Sequence, residues 1–190
     1  KPTARRVPRD GAFPLSYTLD SIGPLARTAA CCAAYDAILA GEDATLPALP
    51  VKGLRLMLPR SSALDDLDAQ VAKGFEAALA TLARAGAVVT EVAMPAFDRQ
   101  DRYFKGGGYA GAEAAAIHRP WADRIGEYDP RVGKRVAMGN DIPAPDLVEL
   151  GFVRAAYIRE VEAAAAPFDA IVMPTVPCVA PTIAEVDASD

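Results

Sequence analysis

Residues 51–94 constrain the fold more than any other stretch. Val51–Leu58 places Leu54, Leu56 and Leu58 on one alternating face and is closed by Pro59. That two-residue period is the pattern of a strand. Asp65-Asp66-Leu67-Asp68 follows, a group of carboxylates suited to the first turn of a helix, where the dipole is positive. The expected helix runs to about Ala85, with Val71, Phe75, Ala78, Leu79 and Leu82 as a stripe at helical spacing. Gly86 ends it. Ala87–Met94 returns to strand and is closed by Pro95. Strand, helix, strand at this length is a βαβ unit, whose crossover joins parallel strands. The two strands are therefore expected to be parallel neighbours or near neighbours in one sheet.

The rest of the chain adds helices and one more strand. Residues 1–24 hold four prolines and two glycines and read as an irregular, extended loop. Arg27 to Ala40 is an Ala-rich helix, and Gly41 suits its C-cap. Residues 42–50 are a Pro-rich connection. Residues 96–142 are less regular, with short helices expected over Gly111–Arg119 and Arg131–Met138. Pro145 fits the first turn of a long helix to about Ala166, with Leu147, Leu150, Val153, Tyr157, Ile158 and Val161 on its buried face. Asp169–Met173 is a short apolar strand ended by Pro174-Thr175-Val176-Pro177, and it belongs in the same sheet. The fold class is α/β, with a mixed, mainly parallel sheet flanked by helices. Three strands are few for this much helix, so the sheet reads as incomplete.

Composition excludes several function classes. With 190 residues, 52% hydrophobic and 24% charged, the chain can build a sizeable core. The net charge is −5. Its basic cluster, Lys1, Arg5, Arg6 and Arg9, is too small for a nucleic-acid surface and reads as a solvated loop. No apolar run approaches the ~20 residues of a membrane span. Cys31, Cys32 and Cys178 lack metal-ligand spacing. The first two read as small buried hydrophobes of a reducing, cytoplasmic compartment. The chain opens on Lys-Pro-Thr without Met and ends without a helix stop or finished strand, so both ends read as cut.

Candidate chemistry is sparse. His118 is the single histidine, and it reads as a surface or helix-end residue. Nothing resembles G-x-S-x-G. Ser61-Ser62 suits turn and N-cap duty. Gly106-Gly107-Gly108-Tyr109-Ala110-Gly111 satisfies G-x-G-x-x-G, but no strand precedes it. It reads as a mobile loop beside a functional site. No metal or phosphate motif is present.

Several motifs in order resemble the amidase signature family. They are Lys1-Pro2-Thr3-Ala4-Arg5-Arg6-Val7-Pro8, then Pro14-Leu15-Ser16, Leu19-Asp20 and Gly23-Pro24-Leu25-Ala26-Arg27. Ala26-Arg27-Thr28 through Ile38-Leu39-Ala40-Gly41, Val51-Lys52-Gly53-Leu54-Arg55, Tyr128-Asp129-Pro130-Arg131-Val132-Gly133-Lys134-Arg135 and Phe168 to Pro177 continue the likeness. Ala4, Arg5 and Cys31 depart from the pattern: a bulkier residue, Gly and Asp are usual there.

The resemblance implies a partial amidase signature domain over 1–190, with 96–142 as the variable, substrate-side segment. It implies hydrolysis of amides, or transfer of ammonia from glutamine, with no metal or organic cofactor. The family's Ser–cis-Ser–Lys triad and oxyanion turn are expected upstream of Lys1, so no catalytic residue is assigned within 1–190. Arg135, Thr175 and Tyr109 are the candidate substrate-binding residues. A guanidinium such as that of Arg135 can hold a carboxylate or carbonyl, or form an ordinary ion pair on its helix. Arg135 and Thr175 are expected on the face where the triad would sit. Tyr109, Trp121 and Tyr128 could line an apolar pocket or simply pack. The implied partners are a small-molecule amide and either a homo-oligomer or the remainder of the same chain, with no nucleic acid or membrane. Three readings stay open: an amidase, the A subunit of a tRNA-dependent amidotransferase, and a non-catalytic interaction module.

Overall fold

Among the described residues, three parallel strands form one sheet. The computed structural model describes residues 4–45, 49–99 and 107–188. β1 (Arg55–Arg60) is central. β2 (Val88–Ala93) pairs with it from Arg55↔Val88 to Arg60↔Ala93, and β3 (Ala170–Ile171) pairs at Leu56 and Met57. The expected single sheet and its parallel first pair are present.

The strand boundaries need correction. β1 starts at Arg55 rather than Val51, and Pro59 lies inside it rather than closing it. Backbone alternation explains the proline. The carbonyls of Leu54 and Arg60 accept from Val88 and Met94 on the β2 side, and those of Arg55 and Met57 accept from Asp169 and Val172 on the β3 side. Pro59 belongs to the second series. Its missing N–H therefore falls just past the last bond made with the β3 side, and the bonds at Arg55 and Met57 stay intact. Met57 is fully buried and Leu56 nearly so, which is how a central strand covered on both faces behaves.

α2 (Ala69–Arg84) carries the crossover. It starts later than Asp65, and no acid sits in its first turn. Asp68 is at the N-cap, but its carboxylate accepts from the Val179 amide at 2.8 Å, and its own N–H donates to the Pro177 carbonyl. Asp68 thus ties the helix start to the distant 177–179 segment rather than capping the helix with its side chain. At the other end, Gly86 adopts φ +93°, and a Cβ there would press on Lys52 at 3.0 Å.

The chain divides into two compact units, each made of two segments. The unit of 49–100 and 155–190 contains the sheet and α2. Its core joins Met57, Met94, Ala96 and Phe97 to Tyr157, Val161, Phe168 and Ile171. Burying Met57, Met94 and Phe97 contributes about 1.5–3 kcal/mol each.

The unit of 1–48 and 101–154 is helical. α1 (Ala29–Ala40) is capped by the Thr28 hydroxyl and ends at Gly41 in the left-handed region. α3 (Gly108–His118), a 3-10 run (Arg119–Glu127) and α4 (Pro130–Met138) follow. From Gly108 to Gly111 the glycine run is helix rather than loop, with Gly107 at the N-cap, while Gly106 lies outside the described residues. Close packing here rests on Gly139, since a Cβ on it would run into the Gly111 carbonyl oxygen. α5 (Ala144–Ala165) contributes residues to both units. Among the described residues no helix is long and apolar enough to cross a membrane.

Candidate functional site

In the helical unit, an aromatic cluster gathers around the lone histidine. His118 ends α3, and its Nδ1 hydrogen-bonds the Tyr128 hydroxyl at 2.8 Å. The rings of Phe13, Trp121 and Tyr128 lie with centroids 5.5, 6.1 and 5.4 Å from the imidazole. The helix-end reading of His118 holds. The 3-10 run breaks helical geometry at Trp121 (φ −120°, ψ 20°), and the rings of Trp121 and Phe13 stand 6.1 Å apart. Phe13, Trp121, Tyr128, Arg124 and Glu127 line a cavity of about 230 Å³. Arg124 forks onto Glu127 at 3.0 and 2.6 Å. That pairing holds the Glu127 carboxyl below the usual glutamate range.

Trp121 and Tyr128 thus line one cavity, whereas Tyr109 is not among its lining residues. Tyr109 sits half-buried in the first turn of α3, its hydroxyl against Gly151, where a Cβ would approach to 2.9 Å. Arg135 is exposed in the last turn of α4. Asp129 caps that helix by accepting from the Arg131 amide and guanidinium, which lowers its pKa to about 2. Arg131 therefore takes the local carboxylate, and Arg135 has no ion-pair partner among the described residues. Thr175 belongs to the sheet-containing unit, exposed just past the carboxyl end of β3.

The N-terminal loop is held more firmly than its composition suggests. Ser16 is 1% exposed, and its hydroxyl donates to Glu113 of α3, as do the Thr18 amide and hydroxyl. Burial pushes the Glu113 carboxyl up, but these three donors outweigh it and leave it below the usual glutamate range. Asp20 accepts from the amides of Leu15 and Ser16. The basic cluster is likewise partly engaged: Arg6 pairs with Asp36 and Glu42, and Arg9 donates to the Tyr17 carbonyl. Lys1 lies outside the described residues. Cys31 and Cys178 are exposed and Cys32 is half-buried, so the buried reading of Cys31 is corrected. α1 is apolar on more than one side, and its exposed face includes Tyr35 and Ile38.

A wider cavity of about 760 Å³ lies between the 19–25 loop and α1. Both of its carboxylates, Asp20 and Asp36, already hold partners. The aromatic cavity is the better candidate because its rings remain open. Sequence reasoning missed Phe13, Arg124 and Glu127 there. Phe13 sits in a loop without period, and nothing local marks it. Ser61 and Ser62 are not a catalytic pair: Ser62 donates to Asp98 through amide and hydroxyl, and the buried Ser61 hydroxyl makes no hydrogen bond. Among the described residues, no cluster of three or more His, Cys, Asp or Glu side chains could hold a metal ion.

A family model described as "Amidase" matches residues 1–190. The 2-amino-5-chloromuconic acid deaminase of Comamonas testosteroni is 33% identical over 98% of this chain and 41% of its own. A crystal structure of an amidase superimposes with TM-score 0.83 at 30% identity, over 96% of this chain and 41% of that one. The A subunit of glutamyl-tRNA(Gln) amidotransferase from Thermotoga maritima superimposes with TM-score 0.69 at 25% identity, over 97% of this chain and 43% of that one. The chain thus spans about two fifths of the length of these relatives. With the family model matched over every residue and the fold shared, the chain belongs to the amidase family.

Proposed function

We propose that the protein built on these residues hydrolyses the carbon–nitrogen bond of a small-molecule amide. The observation that carries this reading is the family match over residues 1–190. In this reading a serine nucleophile, a bridging serine and a lysine base come from outside 1–190, as the family pattern implies. The lone histidine supports no rival triad, because its Nδ1 is engaged by Tyr128 and its ring stands among aromatics. Residues 96–142 shape the substrate side. Arg135 anchors a carboxylate or carbonyl oxygen of the substrate, a role supported by its exposure and its lack of an ion pair among the described residues. Thr175 contributes from beyond the carboxyl end of β3, where ligands of open α/β sheets bind. Tyr109 is a wall residue. The protein works as a homo-oligomer or with the remainder of its own chain as partner.

The test is ammonia release. The 190-residue chain alone is expected to release none from acetamide or benzamide, whereas a longer gene product carrying the preceding segment does. In that product, Arg135→Ala is expected to raise KM by the equivalent of ~1–3 kcal/mol, the cost of a lost charge-assisted hydrogen bond, with an unchanged unfolding midpoint. Activity of the chain alone that vanished on substituting one of its own residues would overturn the assignment.

The A subunit of a glutamine-dependent amidotransferase is the second reading, supported by the likeness to the Thermotoga subunit. The higher TM-score and identity to the amidase structure favour the first. Copurification with partner subunits would reverse that order.

A further inference from the structure

We infer that the cavity between Phe13, Trp121 and Tyr128 binds a neutral, single-ring aromatic group. Three observations carry the inference. First, the rings are open: Phe13 is 67% and Trp121 39% exposed, although each borders a cavity. Second, part of the wall is fixed in advance. The Tyr128 ring is held by its 2.8 Å bond to His118, and Arg124 by its fork onto Glu127. Fixed aromatic faces lose little freedom on binding, and they favour another ring in offset or edge-on contact. Third, the rim is neutral. Among the described lining residues the one carboxylate, Glu127, is taken up by the one guanidinium, Arg124, so the rim adds no net charge that would favour an ion over a neutral ring. The volume, about 230 Å³, lies below the ~300–1,000 Å³ of sites for drug-sized ligands. It suits one ring rather than a fused system.

The binding does not depend on amide hydrolysis. Only the identification of this ring as part of the amide substrate rests on the proposed function. The test therefore uses a probe without an amide. The Trp121 indole N–H resonance, identified by its loss in Trp121→Phe, is followed in the full chain during titration with benzyl alcohol, acetamide and tetramethylammonium. Benzyl alcohol is expected to give a saturable shift, with at least tenfold weaker effects from the other two. Phe13→Ala is expected to weaken benzyl alcohol binding roughly fivefold or more, as a lost ring contact would. Phe13→Leu, which keeps apolar bulk, checks that the fold survives. No saturable shift, an equal response to acetamide, tighter binding of tetramethylammonium, or full affinity in Phe13→Ala would each overturn the inference.

Discussion

Asp169 joins two strands with one side chain. Its carboxylate accepts from the Arg55 amide at 2.8 Å and from the Arg55 guanidinium at 2.8 and 3.3 Å, while its own amide donates to the Arg55 carbonyl. The Arg55 side chain, and then its amide, bring the Asp169 pKa from 3.8 to about 2. The fold thus holds the deprotonated form. Its stabilisation is present above 3.8 and is lost as the pH falls toward 2. Asp169→Asn is expected to lower the thermal midpoint at neutral pH, with the gap to the parent closing as the pH falls through that window. A gap constant from neutral to acid pH would mean that the residue acts by packing alone. In the sequence, Phe168-Asp169 stood out only as the start of a strand. Its partner lies 114 positions away in the chain, and no local period reports such a pairing.

Elements were legible where one period dominates. The βαβ core, the long Pro145 helix and the α1 cap at Gly41 are all present, although β1 and α2 start later than alternation and the acidic run placed them. The misreadings share a cause: a residue type with two uses. Asp65-Asp66-Leu67-Asp68 has the composition of a helix start, yet Asp68 is bound to Val179. The Gly106–Gly111 run has the composition of a loop, yet Gly108 to Gly111 are helical, and the glycine that lets α3 and the 139–141 turn approach is Gly139. Gly139→Ala is therefore expected to cost about 3 kcal/mol or more, because the obstacle is the Gly111 carbonyl and cannot swing away. Gly151→Ala meets only the end of the Tyr109 side chain and is expected to cost about 1 kcal/mol. Urea midpoints of the two variants compare them directly. Equal midpoints would mean that the α3 contact is looser than described.

At the scale of the molecule, each unit is assembled from two stretches of chain far apart in sequence. This is why the aromatic cavity was only half legible: Trp121 and Tyr128 share one segment, but Phe13 comes from the other. The sheet shows the same interleaving in time. During synthesis β1 and β2 can pair early, while β3 emerges much later, on the opposite side of β1. At ~5–20 residues per second, that side of the central strand waits on the order of ten seconds with unpaired backbone groups, open to another nascent chain. Pro59 lies on this waiting side and offers no donor there. Pro59→Val is expected to raise the insoluble share of newly made protein, measured by fractionating cells, while the soluble part keeps its unfolding midpoint. The proline in the strand then acts before the native state exists, as protection of the unfinished chain from its copies on neighbouring ribosomes.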